Sequence, residues 1–139
     1  MKYMLDTNIC IYLIKQKPPE VLDKFAALSF GDVGVSAITV AELQYGVRKS
    51  QYPERNQQAL EQFTLPLIIA GFDHNAAAAY GTIRATLERQ GTPIGVLDTL
   101  IAAHALSLGV TLVTNNEREF SRVPNLTVVN WAGTDAQNG

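Results

Sequence analysis

Tyr3-Met4-Leu5-Asp6-Thr7-Asn8 is the stretch from which the fold of this chain can be worked out. An apolar run ends on a lone carboxylate, and apolar residues with helical spacing follow, which predicts a short buried strand that turns into a helix at Asp6. In open parallel sheets, the carboxyl ends of the strands line the ligand crevice. Asp6 is therefore a candidate functional residue; the alternative is that Asp6 or Asn8 only caps the helix that follows.

Strands and helices are predicted to alternate along the rest of the chain. Short apolar runs predict strands, and the segments between them carry apolar residues at helical spacing. Such alternation is typical of a parallel sheet with helices on both faces. The sequence predicts an α/β fold with about five short strands, at residues 2–5, 33–36, 67–72, 110–113 and 127–129.

Length and composition indicate one globular domain. The 139 residues are 47% hydrophobic and 17% charged, and we predict a single domain over residues 1–133 with a disordered polar tail at 134–139. The net charge of -2 neither indicates nor excludes nucleic acid as a partner. Cys10 is the only cysteine, which excludes an internal disulfide. Because the sequence shows no leader and no membrane-spanning apolar run, the expected location is the cytoplasm.

Asp6, Glu42 and Asp98 differ from the other acidic residues because their sequence neighbours are apolar. A charge in such surroundings is costly unless it is paired or bound. We expect Glu42 and Asp98 each to lie in the first turn of a helix, at the same end of the sheet as Asp6. Carboxylates that converge there repel each other, and a divalent cation relieves the repulsion. Oxygen ligands alone favour Mg²⁺ or Mn²⁺ over zinc.

Each of these residues also has a structural interpretation. Thr39-Val40-Ala41-Glu42 fits a capping box, in which Glu42 would reach back to the Thr39 amide. Asp98 would complement a helix dipole in a first turn. His104 lies near the apolar side of its predicted helix, and a packed core histidine is the favoured interpretation over a ligand.

Four segments together resemble the PIN-domain family, and within it the VapC ribonuclease toxins of bacterial toxin–antitoxin pairs. They cover nearly the whole chain in the family's order. The segments are Met4-Leu5-Asp6-Thr7-Asn8, Ser36-Ala37-Ile38-Thr39-Val40-Ala41-Glu42-Leu43 with Gly46, Gly91-Thr92-Pro93-Ile94-Gly95 followed by Asp98 and Ile101-Ala102-Ala103-His104-Ala105, and Val113-Thr114-Asn115-Asn116-Glu117-Arg118-Glu119-Phe120.

The resemblance implies a Rossmann-like PIN fold and a Mg²⁺- or Mn²⁺-dependent endoribonuclease that inhibits translation. It implies a cognate VapB-type antitoxin, a homodimer with higher toxin–antitoxin assembly, and no membrane. Structured RNA is the implied substrate, with the anticodon loop of initiator tRNA as the best candidate. Asp6 and Asp98 would hold the principal ion, with Glu42 ligating directly or through water. Hydrogen bonds that orient these carboxylates are expected from Thr7, Asn8 and Thr114.

The chain departs from the family at the fourth acidic position. Asn116 stands where many PIN domains carry an acid, and Glu119, three residues on, is the alternative occupant of that role. Of the two, Asn116 is expected to line the pocket as a catalytic residue, with Glu119 at its edge in a supporting role. Val96-Leu97 also departs from the family's third motif, and we expect that difference to affect substrate contact more than chemistry.

An acidic pocket repels RNA, so basic residues are required around its rim. The candidates are Arg48, Lys49, Arg84, Arg89 and Arg118. The rival interpretation of the whole chain is a PIN-like module that binds RNA or a protein partner without cutting, which the neutral Asn116 favours.

Overall fold

The computed structural model describes residues 1–29 and 31–132, so the predicted tail at 134–139 lies outside the described residues. Five strands and seven helices are found in this described part of the chain. In order, they are β1 (Tyr3–Leu5), α1 (Thr7–Lys15), α2 (Pro19–Ala26), β2 (Val33–Ser36), α3 (Ala37–Arg48), α4 (Pro53–Thr64), β3 (Ile68–Ala70), α5 (His74–Arg89), α6 (Val96–Leu108), β4 (Thr111–Val113), α7 (Glu117–Phe120) and β5 (Val128–Val129).

The strands form one parallel sheet in the order β3-β2-β1-β4-β5, which confirms the predicted α/β fold. Leu5, at the end of the central strand, pairs with Val35 of β2 and Val113 of β4. The residues that follow these strands therefore emerge at the same edge of the sheet. This register places Asp6 between Thr114, which follows β4, and the start of α3, which follows β2.

Consecutive residues of β1 supply the cores on the two faces of the sheet, as expected for a strand whose side chains alternate. Leu5 packs in a buried cluster with residues of α1, α3 and α4. Met4 packs on the other face in a cluster with Ile83, Leu87 and Ile101 of α5 and α6. Within residues 1–29 and 31–132, no helix has the length and apolar character needed to span a bilayer.

The third strand differs from its prediction. The expected strand at 67–72 is reduced to Ile68–Ala70, and it pairs only with β2 at the edge of the sheet. Ile68 and Ile69 are 39% and 50% exposed. The run was predicted as buried because it is apolar, but an edge strand leaves one side open for another chain to cover.

Gly34 of β2 pairs with Ile68 of β3, and Gly34→Ala is expected to destabilise the fold. An added Cβ would lie 2.4 Å from the Met1 Sδ and 2.6 Å from the Ile68 carbonyl oxygen, so the strand pairing would have to shift. We expect a loss of about 1–3 kcal/mol in the free energy of unfolding, measured by urea denaturation. Gly81→Ala is the control, because its Cβ meets nothing within 4 Å and should stabilise α5 by up to about 1 kcal/mol. Equal stabilities for the two variants would contradict this account.

Candidate active site

Asp6 caps α1 with one carboxylate oxygen and makes a long-range hydrogen bond with the other. Its Oδ1 accepts the backbone N–H of Ile9 at 2.9 Å, which is an N-cap hydrogen bond. Its Oδ2 accepts the hydroxyl of Thr114, which lies 108 positions later at the end of β4. The residue is only 4% exposed. The capping interpretation is therefore correct but incomplete, because the second oxygen faces the strand ends where the other acids gather.

The Asp6 carboxylate is electrostatically unfavourable as it stands. Burial, with smaller contributions from the charges of Asp98 and Glu42, raises its pKa from 3.8 to about 6, against the lowering effect of hydrogen bonds from Thr114 and Ile9. Salt bridges to lysine or arginine are absent for Asp6, Glu42 and Asp98 within the described residues. The site therefore carries negative charge that the protein itself does not neutralise.

Asp6→Asn is expected to stabilise the metal-free protein. The folded-state pKa of about 6 lies above the unfolded-state value of 3.8, so this group favours folding below pH 4 and loses that contribution as the pH rises through 6. An asparagine oxygen can still accept the Ile9 amide. At pH 8 in EDTA we expect a gain of up to about 3 kcal/mol in unfolding free energy, vanishing towards pH 4. Thermal or urea denaturation that showed a loss at pH 8 would assign Asp6 a purely structural role.

Glu42 is not part of a capping box. Helix α3 begins at Ala37, with the Ser36 hydroxyl as the cap that accepts the Ile38 amide at 3.0 Å. The helix starts earlier than predicted, so Thr39 lies inside it and Glu42 falls in the second turn rather than the first. The Glu42 Oε1 instead accepts the Thr7 hydroxyl at 2.6 Å. The main structural explanation for this acid is therefore wrong.

Asp98 lies in the first turn of α6, as predicted, and is half-buried. Its Oδ2 stands 3.9 Å from the position that a Cβ on Gly95 would occupy. Burial raises the pKa of Asp98, and the charges of Glu119 and Glu42 raise it further. Its first-turn position also complements the helix dipole, so the structural interpretation of this acid stands beside the functional one.

Asn116 and Glu119, the two candidates for the fourth position, are hydrogen-bonded to each other. The Asn116 Nδ2 donates a hydrogen bond to the Glu119 Oε2 at 2.8 Å. The Asn116 backbone amide donates to the Thr114 Oγ1 at 2.9 Å, and that hydroxyl donates in turn to Asp6. A continuous hydrogen-bonded chain thus links Glu119 to Asp6. The charge of Glu119 also raises the pKa of Asp98. Which of the two side chains fills the fourth position of the site remains a prediction.

The oxygen donors of these acids suit a hard divalent cation, although the acids do not form a complete coordination site. Across residues 1–29 and 31–132, no three His, Cys, Asp or Glu side chains stand in an arrangement that could hold an ion. The available donors are carboxylate oxygens, which suit Mg²⁺ and Mn²⁺. Uncompensated, partly desolvated carboxylates are stabilised when such an ion binds. The shared ion remains a prediction.

The expected supporting hydrogen bonds come from Thr7 and Thr114 but not from Asn8. Asn8 is exposed, and its side chain makes no hydrogen bond to any other described residue. One further contact was not predicted from the sequence. The Asn115 side chain donates a hydrogen bond to the Tyr12 hydroxyl at 2.5 Å, which connects α1 to the loop after β4. No spacing could have indicated it, since the two residues are 103 positions apart.

His104 is a core residue, as predicted, but its contacts reach towards the site. Its Nδ1 lies 2.7 Å from the Ser36 Oγ, and its ring meets Phe72 edge-on with 5.3 Å between centroids. The Ser36 oxygen accepts the Ile38 amide, so the hydroxyl hydrogen is available to Nδ1. Burial lowers the pKa of His104, which favours the neutral ring needed to accept that hydrogen. His104 thereby helps to fix the start of α3, the helix that carries Glu42.

The family is decided by a match that covers most of the chain: residues 3–126 match the PIN domain. The chain belongs to the PIN-domain family. This PIN domain is 48% identical over 132 residues to the tRNA(fMet)-specific endonuclease VapC of Shigella flexneri, covering 95% of this chain and 99% of that protein. It is 52% identical over 131 residues to Ribonuclease VapC2 of Haemophilus influenzae, covering 94% and 98%.

Solved structures agree with these relatives. The DNA-bound VapBC of Salmonella typhimurium matches this PIN domain with a TM-score of 0.90 at 45% identity, covering 95% of this chain and 99% of that one. VapBC2 of Rickettsia felis, bound to a DNA fragment from its promoter, matches with a TM-score of 0.89 at 45% identity, covering 94% and 99%. The predicted VapC-type PIN domain is confirmed.

The basic residues that are candidates for RNA binding all lie on the surface of the PIN domain. Four of them contact a neighbour on the surface rather than an active-site acid: Arg48 with Gln57, Lys49 over the Tyr45 ring, Arg84 with Glu88 and Tyr80, and Arg89 with Thr86. Arg118 differs, because it precedes Glu119 on α7. Their contact with RNA remains a prediction.

An apolar groove lies between α1, α3 and α4 and includes Glu42 in its lining. Its volume is about 430 Å³, and Thr7 and Glu42 belong to its wall. The rest of the lining is mainly apolar, including Ile11, Ile14, Leu43, Gly46, Val47 and Leu60. The surplus of apolar residues on the helices before Gly31 and on the helix from Thr39 predicts an exposed patch of Ile11, Tyr12, Phe25, Tyr45 and Tyr52. Of these five side chains, Tyr45 and Tyr52 are exposed, whereas the other three are half-buried against the core. The apolar surface is thus a groove rather than a flat patch.

Proposed function

We propose that this protein is a Mg²⁺- or Mn²⁺-dependent endoribonuclease toxin whose site is formed by Asp6, Glu42, Asp98 and Glu119. The observation that carries the proposal is the electrostatic coupling of Asp6 to Asp98 and Glu42 in a partly desolvated site, where no lysine or arginine of the described residues forms a salt bridge with these acids. Asp6, Glu42 and Asp98 would hold a divalent cation, which would supply activation of the attacking water and stabilisation of charge on the phosphate. Water as the nucleophile leaves a 5′-phosphate and a 3′-hydroxyl.

The chain's own residues hold the acids in place for this role. The Ile9 amide and the Thr114 hydroxyl fix both oxygens of Asp6. Thr7 fixes Glu42 from the first turn of α1. Hydrogen bonds of this kind orient metal-binding carboxylates and raise metal affinity. Loss of either threonine is therefore expected to lower activity without removing an acid.

Glu119 and Asn116 can be separated by substitution. We expect Glu119→Gln to lower cleavage more than Asn116→Ala. The first substitution removes the negative charge of Glu119, whereas the second removes only the hydrogen bond that Asn116 donates to it. Asn116→Asp should also be damaging, since an aspartate cannot donate to Glu119 and repels it. Losses of roughly 10²-fold for Glu119→Gln and 10-fold for Asn116→Ala are expected in kcat/KM on one RNA substrate. Unchanged activity in Glu119→Gln would assign the fourth position to Asn116.

Initiator tRNA is the proposed substrate, with cleavage in the anticodon loop. The support is the name of the Shigella relative, a tRNA(fMet)-specific endonuclease that is 48% identical to this chain. Sequence-specific recognition of RNA usually targets single-stranded loops, whose bases are free to be read. Cleavage of this tRNA would inhibit translation at initiation.

A VapB-type antitoxin is the proposed partner, and the α1–α3–α4 groove is its proposed binding site. The Salmonella and Rickettsia structures are VapBC complexes. An antitoxin segment that filled the apolar groove would reach Thr7 and Glu42, where a basic side chain would neutralise the acids. We also propose a homodimer and a larger toxin–antitoxin assembly, supported by the exposed apolar edge at Ile68 and Ile69.

The nuclease proposal is tested with purified protein and end-labelled initiator tRNA. Cleavage should require Mg²⁺ or Mn²⁺, stop in EDTA, return when the metal is restored, and leave a 5′-phosphate. Elongator tRNA of the same amino acid is the matched control substrate. Tight binding of the tRNA without cleavage under any metal condition would favour the non-cutting PIN module instead.

A further inference from the structure

A second cavity, which we call the lysine cavity, lies at the C-terminal end of α1 next to the α1–α3–α4 groove. Its volume is about 360 Å³, and its lining consists of Ile11, Tyr12, Lys15, Lys17, Pro18 and Ala132. Ile11 and Lys15 also line the groove, together with Thr7 and Glu42. The two cavities therefore adjoin, so that one extended ligand can occupy both.

Helix α1 sets the distance between the lysine cavity and the acids. Thr7, Ile11 and Lys15 are spaced four residues apart, so their side chains follow one face of the helix. Lys15 is eight positions after Thr7, which at about 1.5 Å per residue places it about 12 Å further along the helix axis. Because the Thr7 hydroxyl donates to Glu42, the acids mark the near end of this face. The lysine cavity therefore lies beside the active site and not at the cleaved bond.

Hydrogen bonds attach the lysine cavity to the strand ends as well. The Asn115 side chain donates to the hydroxyl of Tyr12, which belongs to the cavity lining. Asn115 directly follows Thr114, whose hydroxyl donates to Asp6. The Lys17 backbone amide donates to the Tyr12 carbonyl oxygen at 3.0 Å, which fixes the chain after α1 against the end of the helix. The fold therefore defines the position of the cavity relative to the acids.

The lysine cavity carries positive charge that no acid neutralises. Lys15 and Lys17 are exposed, and within residues 1–29 and 31–132 neither side chain forms an ion pair or a hydrogen bond. Among the described residues, no aspartate or glutamate belongs to the cavity lining. Lys15 complements the dipole of α1 from its last turn, but that interaction leaves the ammonium group in solvent. The cavity therefore presents two cations to an anionic ligand.

We propose that Lys15 and Lys17 bind backbone phosphates of the RNA substrate away from the cleaved bond, an inference that rests on the proposed nuclease function. RNA held against a cluster of acids requires cations close by, because phosphate contacts supply most of the affinity. The lysine cavity supplies them along α1, whereas none of the basic residues predicted from the sequence lines this cavity or the groove. Phosphate contacts position a nucleic acid without reading its sequence. The two lysines therefore anchor the RNA strand and leave the choice of nucleotide to other residues.

The test measures the salt dependence of RNA binding by the full chain. Labelled initiator tRNA is titrated in EDTA, which prevents cleavage, and Kd is measured by fluorescence anisotropy at several KCl concentrations. Each lost phosphate contact lowers the slope of log Kd against log salt by about 1. Lys15→Gln and Lys17→Gln should each show this change, and the double variant should lose about 2 and bind about tenfold more weakly at about 0.1 M KCl. Arginine at both positions keeps the charges and should keep the wild-type slope.

Lys2→Gln is the matched control. Lys2 is an exposed lysine that precedes β1, at the opposite edge of the sheet from Asp6, and it forms a 4.0 Å ion pair with Asp32. This substitution removes the same charge, so it separates a phosphate contact from a change in net charge, and its slope should equal that of the wild type. In Mg²⁺, the double glutamine variant should raise KM for the tRNA about tenfold and leave kcat unchanged, because these contacts hold substrate and transition state equally.

Wild-type slopes in both Lys15→Gln and Lys17→Gln, or an equal change in Lys2→Gln, overturn the proposal. Weaker binding of the antitoxin with an unchanged slope for RNA would assign the cavity to the protein partner and would also overturn it. Absence of cleavage by the wild type in Mg²⁺ or Mn²⁺, with the expected slopes present in EDTA, would instead refute the nuclease function and leave RNA binding by the two lysines in place.

Discussion

Asp98→Asn is expected to lower RNA cleavage by about 10³-fold while leaving the protein folded. The substitution removes a charge that is coupled to Asp6 through the shared site, and a metal site supplies several kcal/mol of transition-state stabilisation. An asparagine keeps the shape of the side chain and cannot weaken α6 by more than the small contribution of a first-turn acid. Cleavage rates on initiator tRNA under saturating Mg²⁺ measure the effect.

Asp73→Asn is the matched control for this experiment. Asp73 also lies at the start of a helix, where it caps α5 through the Ala76 amide, but it is exposed and is not among the groups that perturb Asp6 or Asp98. It should cleave at the wild-type rate. If Asp98→Asn and Asp73→Asn behaved alike, Asp98 would have no special role and the site would lose one of its central acids.

Gly46→Leu is expected to free the toxin from its antitoxin without stopping cleavage. Gly46 lines the α1–α3–α4 groove, and a Cβ there would meet no atom within 4 Å, so a leucine side chain would fill the groove instead of the core. Leucine is also a better helix former than glycine, so α3 should not be weakened. Blocking a central contact should weaken antitoxin binding by roughly thirtyfold or more, measured by titration calorimetry.

Gly81→Leu is the matched control. Gly81 is also a helical glycine at which an added Cβ would meet nothing within 4 Å, but it belongs to α5 and does not line the groove. Antitoxin should bind this variant as tightly as it binds the wild type. Equal affinity for Gly46→Leu and the wild type would place the antitoxin elsewhere on the toxin. Loss of RNA cleavage in Gly46→Leu would show that the groove also serves the substrate.

The positions of Asp6 and Asp98 in the fold could be predicted from the sequence because local patterns determine them. Asp6 ends a short apolar strand, and Asp98 opens an apolar helix, so strand and helix periodicity already put both at the edge of a parallel sheet. Thr7 and Thr114 could be proposed as supports for the same reason, because they follow β1 and β4 directly.

The errors arose where tertiary contacts decide between local alternatives. A capping box at Thr39 is a valid local pattern, but Ser36 caps α3 first and is held by His104, which lies 68 positions away. The relation of Asn116 to Glu119 depends on side-chain directions that spacing does not give. The exposure of Ile69 depends on β3 being the edge strand, and strand order cannot be obtained from an apolar run.

Divalent metal binding tests the central claim most directly, namely that Asp6, Glu42 and Asp98 share one ion. Mn²⁺ titrated into the purified protein and followed by electron paramagnetic resonance reports free and bound metal without RNA or activity. The account predicts a site in the wild type whose affinity falls at least about tenfold in each of Asp6→Asn, Glu42→Gln and Asp98→Asn, and is unchanged in Asp73→Asn. Wild-type affinity in Asp98→Asn, or no bound Mn²⁺ in the wild type at millimolar metal, would contradict it.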